Sequence, residues 1–192
     1  RPLSRGLGDV YKRQVMFKLP NKRILLGVTG GIAAYKSAEL VRRLQDQGAQ
    51  VRVVMTPGAE EFVRPLTMQA LSGHPVFTGL LDEKAEAGMG HIELAKWGDL
   101  LLIAPASADF IANMVHGRAD SLLGAIYLAT SALVSVAPAM NHEMWKHPAT
   151  SDNVDTLRDR QVHVIGPDSG IQACGDIGPG RMVGPEIIVG QI

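Results

Sequence analysis

The chain has one cysteine, Cys174, within Gly166–Met182, a segment of five glycines and two prolines after the apolar run Val162–Ile165. That composition predicts neither regular helix nor strand there. Free cysteine is commonly a small core hydrophobe. A thiol beside Gly175 and Asp176 in a surface flap instead has the exposure of a reagent, with a bland loop cysteine as the competing reading. His91 follows Gly88-Met89-Gly90, and an imidazole is the side chain readiest to exchange a proton near neutral pH. A polar helix-start residue explains it equally well. Asn141 closes Pro138-Ala139-Met140-Asn141. Its amide can donate to a carboxylate without adding charge, or cap a helix over Asn141–His147. Gly30-Gly31 joins an apolar run to an amphipathic one, so backbone N–H groups and a helix N-terminus could hold a phosphate there. A tight structural turn is the alternative. Thr29, Thr56 and Ser107 could add hydroxyl donors, and Arg181 could pair with a substrate phosphate or be a solvated loop charge.

Several sharper templates fail on spacing. Gly30 to Ser37 resembles a nucleotide P-loop, but Tyr35 stands where the second glycine must be, which makes Lys36-Ser37 a decoy. Gly27, Gly30 and Gly31 have the wrong separations for a dinucleotide fingerprint. What remains suits a mononucleotide with one phosphate at the first helix, and flavin mononucleotide fits. His142 and His147 are five residues apart, about 140° around a helix, so the two rings do not share a metal-binding face. His74, His116 and His163 are dispersed, and no metal site is expected. Ser169 is not in a nucleophile elbow, because Pro167 stands where a glycine is required.

These residues must be positioned by regular elements, and the chain alternates them. Arg23–Val28, Gln50–Met55, Leu100–Ala104, Val134–Ala137 and Val162–Ile165 read as strands. Ile32–Gln47, with Gly48 as its C-terminal cap, reads as a helix. Glu60–Val63, Thr67–Leu71, Ala106–His116, Ser121–Thr130 and Ser151–Arg160 read likewise, with a break at Pro65. Such alternation implies right-handed crossovers and a doubly wound, mostly parallel α/β sheet in one domain. Ligands bind such sheets beyond the carboxyl ends of the strands. Every unusual segment falls there, so five loops on one rim outline a single site.

Composition agrees. The 192 residues are 46% hydrophobic with net charge zero and 5% aromatic content, which does not suggest nucleic-acid binding. No apolar run approaches the roughly 20 residues of a membrane helix, and a single cysteine suits a reducing cytoplasm. Residues 1–14 show neither periodicity nor a signal-peptide core and are expected to be a non-native leader. Without them 15 basic residues face 18 acidic ones. The domain then runs over 15–192, and its closing apolar segment from Pro185 is expected to be cut short.

Thr29–Lys36, Gly90–Leu94, Ala104–Asp109, Pro138–Asn141 and Ala173–Asp176, taken together, resemble one family, the flavin-containing cysteine decarboxylases. The resemblance runs from about Lys22 to Met182 and is closest to the branch acting on 4′-phosphopantothenoyl-L-cysteine in coenzyme A biosynthesis. It implies a flavodoxin-like (Rossmann-like) fold and flavin mononucleotide as cofactor. It also implies homo-oligomers, trimers or dodecamers, with active sites between subunits, and fusion to a phosphopantothenate–cysteine ligase domain. His91 matches the family's base, Asn141 the residue holding the substrate carboxylate, and Cys174 the proton donor. Flavin contacts would come from Thr29, Gly30, Gly31, Ile32, Thr56, Pro105, Ala106, Ser107, Ala108 and Ala139. Substrate contacts would come from Asn141, Ala173, Cys174, Gly175, Asp176, Arg181 and Met182, the last six in a flap that closes on substrate. Within the same resemblance, a decarboxylase of peptide C-terminal cysteines, a flavin prenyltransferase and a non-catalytic regulatory binding subunit are the alternatives. Cys174 argues against the first, since an enzyme that releases the enethiol requires no reductive step.

Overall fold

The computed structural model describes residues 19–80 and 90–192. The expected leader, residues 1–14, lies outside them, as do residues 88 and 89 ahead of His91.

Five strands form a parallel sheet: β1 (Arg23–Val28), β2 (Gln50–Met55), β3 (Leu100–Ala106), β4 (Leu133–Pro138) and β5 (His163–Val164). Their order is β2-β1-β3-β4-β5, so the chain reverses direction across the sheet between β1 and β3. That is the flavodoxin-like order, with its ligand crevice at the β1/β3 switch point. The pleat sends alternate side chains to opposite cores. Ile24, Leu26 and Val28 join Val51, Val53, Leu102 and Ala104 on one face. Leu25, Val54, Leu101, Ile103 and Val136 occupy the other.

The first face is covered by helix α1 (Ala34–Asp46), which buries Leu40, Val41 and Leu44, together with α3 (Pro65–Ser72) and α9 (Pro185–Gln191). Opposite lie α4 (His91–Trp97), α5 (Ala108–Val115), α6 (Leu122–Ala129) and α8 (Pro148–Asp159). Two short helices, α2 (Pro57–Glu60) and α7 (His142–Lys146), sit on the rim. Gly48 ends α1 with φ 89°, a left-handed conformation that costs glycine little. The Ala49 N–H then reaches the Leu44 carbonyl at 3.1 Å and the Gly48 N–H reaches Gln45 at 2.8 Å, the two bonds of a Schellman cap.

Several helices start where a polar side chain can accept a first-turn N–H group. Ser107, Ser121 and Asn141 do so at 3.1, 3.1 and 2.8 Å. Pro65 and Pro148 each open a helix, because a first-turn residue has no intrahelical partner for the missing N–H. The expected break between helical pieces falls at residues 61–64, just before Pro65 opens α3, and the first piece ends at Glu60 where Val63 was expected. The expected strand at 162–165 shortens to two residues at the sheet edge.

One expectation is overturned. Residues 166–182 contain two regular strands, β6 (Asp168–Ile171) and β7 (Ile177–Arg181), paired antiparallel as a hairpin. Glycine and proline counts argue against strands inside a sheet, but an isolated two-stranded ribbon is all edge and tolerates both. Among the described residues no helix is long and apolar enough to cross a membrane.

Candidate active site

The loops after β1, β2, β3 and β4 and the β6–β7 hairpin enclose one cavity of about 1020 Å³. Its floor is Thr29–Ile32, Thr56 and Ser107-Ala108, and its mouth is Ala139–Asn141, Ala173-Cys174 and Arg181-Met182.

At the floor, the Thr29 side chain is spoken for. It is buried, and its hydroxyl donates to the Pro105 carbonyl at 2.7 Å while accepting from the Ser107 N–H at 2.9 Å. It therefore braces the ends of β1 and β3 instead of offering a donor to a ligand. Thr56 and Ser107 differ: each hydroxyl oxygen accepts a helix N–H, from Ala59 at 3.3 Å and Phe110 at 3.1 Å. The hydroxyl hydrogens remain available to an anion. Among the described residues, the N–H groups of Gly30, Gly31 and Ile32 donate to no protein acceptor. They stand before the 13-residue α1 with its positive dipole end. Gly30 is required for close packing, since a Cβ there would lie 2.9 Å from the Gly58 backbone. A floor of unpartnered N–H groups and two hydroxyl donors, in a cavity of this size, fits a phosphorylated mononucleotide cofactor.

Pro105 and Ala106 stand behind the floor and do not line the cavity. Pro105 carries the carbonyl that Thr29 uses, and the Ala106 carbonyl accepts from the Ala139 N–H at 3.0 Å. Ser37 of the apparent P-loop pair is buried and donates to the Ala104 carbonyl at 2.7 Å, a packing role.

At the mouth, Asn141 does two things at once. Its Oδ1 caps α7 by accepting the Glu143 N–H at 2.8 Å. Its Nδ2 is thereby turned outward, 3.7 Å from the Cys174 Sγ and 3.3 Å from the Gln172 Oε1. The two readings of Asn141 in the sequence are compatible. Cys174 is exposed, and its thiol donates to the Asp176 carboxylate at 3.3 Å. Gly175 and Asp176 form the hairpin tip outside the cavity lining. The hairpin docks on the Asn141 loop through glycine. Gly180 has φ 128° and would bring a Cβ against the Met140 carbonyl, while the Met140 N–H donates to the Gly180 carbonyl at 2.8 Å.

His91 is not brought to this place. It is the exposed first residue of α4 and does not line the cavity. His142, whose spacing from His147 excludes a shared metal-binding face, is largely covered, with Nε2 2.8 Å from Glu143 Oε1.

Two residues at the site carried no usable sequence signal. Lys36, dismissed with the P-loop pattern, lines the cavity and donates from Nζ to the Met182 carbonyl at 2.7 Å, tying α1 to the end of the hairpin. Burial lowers its pKa, and the nearby Arg181 cation lowers it further. Gln172 lies between Asn141 and the hairpin, and only the folded chain shows what it touches.

Fold and site together define a flavodoxin-like α/β protein with a crevice of unpartnered N–H groups at its switch point and a thiol-bearing hairpin over the mouth. A protein-family model described as Flavoprotein matches residues 13–192, and the chain belongs to that family. It is similar to the Coenzyme A biosynthesis bifunctional protein CoaBC of Vibrio vulnificus (strain YJ016), 58% identical over 174 residues, 91% of this chain and 43% of the relative. The chain thus spans less than half the length of that relative. Among solved structures, a cysteine-to-serine mutant of PPC decarboxylase complexed with pantothenoylaminoethenethiol superposes with TM-score 0.78 at 31% identity. The match covers 89% of this chain and 96% of that one. The FMN binding protein AtHal3 superposes with TM-score 0.76 at 32% identity, covering 89% and 94%.

Proposed function

We propose that this chain is the decarboxylase of 4′-phosphopantothenoyl-L-cysteine, with flavin mononucleotide as its cofactor and 4′-phosphopantetheine and CO₂ as products. The observation that carries this reading is the pairing of a carboxamide and a thiol. The Asn141 Nδ2 and the Cys174 Sγ stand 3.7 Å apart at the mouth of a cavity whose floor suits a phosphate.

The flavin would be held by the N–H groups of Gly30–Ile32 and the hydroxyls of Thr56 and Ser107, with Ala108 and Ala139 alongside. When bound, it supplies the two-electron chemistry that takes electrons from the substrate thiol and returns them after CO₂ has left. The chain's own residues do the rest. Asn141 donates from Nδ2 to the substrate carboxylate and adds no charge that would hold it back. His91 takes the thiol proton and returns it to the sulfur once the electrons are back on the substrate. Because His91 lies outside this chain's cavity, a neighbouring copy supplies it, in a trimer or a dodecamer with active sites between subunits. Loss of CO₂ from a carboxylate consumes one proton, which Cys174 delivers to the carbon that lost it. Lys36 and Arg181 place positive charge on the cavity wall for an anionic substrate. The hairpin excludes water from the reactive intermediate. The full protein would join this unit to a phosphopantothenate–cysteine ligase domain and work in the cytoplasm. The named relative and the bound aminoethenethiol in the neighbouring mutant structure support this reading.

The test is product analysis. Wild-type chain should release CO₂ from phosphopantothenoylcysteine and yield the saturated product, whereas Cys174→Ser should release CO₂ and yield the aminoethenethiol, one per flavin without air and more where dioxygen reoxidises the cofactor. Full reductive turnover by Cys174→Ser removes the donor role. Absence of CO₂ from flavin-loaded wild type removes the function. Wild type ending at the enethiol would favour the peptide-cysteine reading.

A further inference from the structure

Gln172 is half-buried between the two segments that meet at the mouth. Its Oε1 accepts from the His142 N–H at 3.0 Å and from the Asn141 Nδ2 at 3.3 Å. Its Nε2 donates to the Met140 carbonyl and to the Pro179 carbonyl, both at 3.3 Å. Its backbone N–H donates to the Asp176 carbonyl at 2.8 Å and its carbonyl accepts from Gly175 at 2.9 Å, closing the turn that presents Cys174. One residue thus joins the Asn141 loop, both arms of the hairpin and the thiol turn.

The arrangement is directional. An amide rotated end for end would set an NH₂ group against the His142 N–H and an oxygen against two carbonyls, so this orientation is the one the surroundings allow. Asn141 is constrained in the same way. With Oδ1 committed to Glu143 and one Nδ2 hydrogen to Gln172, its second Nδ2 hydrogen is left on the Cys174 side. That hydrogen is the one a substrate carboxylate would use.

We infer that Gln172 is a positioning residue, which fixes the donor edge of Asn141 and docks the Cys174 turn beside it, so that carboxylate binding and proton delivery act on the same carbon. This rests on the decarboxylase reading above. Three side chains separate the effects. Gln172→Met keeps the length and loses the polarity. Gln172→Glu keeps the acceptor but sets a carboxylate against two carbonyls and adds negative charge beside the substrate carboxylate. Gln172→Asn keeps the amide but is one methylene too short to reach both segments.

The experiment uses flavin-loaded full chain with phosphopantothenoylcysteine, measuring KM, the ratio of saturated product to enethiol, and hydrogen exchange over residues 168–181. For Gln172→Met, KM should rise about tenfold, the loss of a hydrogen bond to a charged group. Enethiol should appear among its products, the hairpin amides should lose protection, and flavin affinity should hold. Gln172→Glu should raise KM further, and Gln172→Asn should fall between Met and wild type. Wild-type KM and product ratio in Gln172→Met, whatever happens to its melting temperature, would overturn the inference and leave Gln172 a packing residue. If wild type itself releases no CO₂, the decarboxylase reading fails and exchange decides alone: unchanged hairpin protection in Gln172→Met then overturns the docking role.

Discussion

The floor and the mouth of the cavity are built in opposite ways. At the floor, Thr29 is buried, its hydroxyl braces two strands, and Gly30 packs against the Gly58 backbone without room for a methyl group. Neither Thr29 nor Gly30 can move without disturbing what it packs against. At the mouth, Cys174 and Asp176 are exposed on a two-stranded hairpin. It is held to the body by the Gly180 carbonyl, the Gln172 amide and the Lys36 ammonium. A two-stranded ribbon is marginal alone, so a few polar contacts decide where it rests. The difference teaches which changes should do what. Damage to the floor should cost flavin and stability together, whereas damage to the mouth or to the base should change turnover and product while flavin stays bound.

The largest effect expected is that of His91→Asn. The residue is exposed and outside the core, so stability and flavin content should be unchanged, while CO₂ release falls by about 10²- to 10⁴-fold, the range for loss of a general base. A rate near wild type would remove His91 from the mechanism. Gly30→Ala tests the other half. Its Cβ would meet backbone and not a movable side chain, and overpacking of that kind typically costs about 1–3 kcal/mol. Flavin retention and urea stability should both fall; a variant that keeps its colour and midpoint would show the floor to be softer than described.

The smallest effect lies far from either region. Asp99 accepts from the Arg23 guanidinium at 2.8 and 3.3 Å and from its N–H at 2.9 Å. These bonds hold its pKa down at about 2, against 3.8 ordinarily. A carboxylate depressed in the folded state adds stability that is complete above the unfolded pKa and is lost as pH falls toward the folded one. Both side chains are exposed, so the effect is small and salt-sensitive. Urea midpoints of wild type and Asp99→Asn should differ slightly at pH 5 and converge near pH 2. Equal midpoints at pH 5 in low salt would show that the pair contributes nothing.

The sheet was legible because its strands are short and mostly apolar, and the rim was legible because odd residues follow every one of them. The hairpin was misread because its glycines report close approach to Met140 and His142, which composition alone counts as breaking structure. Thr29 was recognised as a rim residue but misassigned as a donor, since only the fold reveals that the Pro105 carbonyl and the Ser107 N–H use up its hydroxyl. Lys36 reaches Met182 across 146 positions, and Gln172 reaches Met140 across 32. Partners at such separations leave no periodic trace in a sequence.

The central claim is tested most directly by purifying the assembled chain, titrating it with flavin mononucleotide, and supplying substrate labelled in the carboxylate carbon. The account predicts one flavin per chain and labelled CO₂ equal to the substrate consumed. An assembled protein that takes up no flavin, or that takes it up and leaves the label in solution as carboxylate, would contradict it.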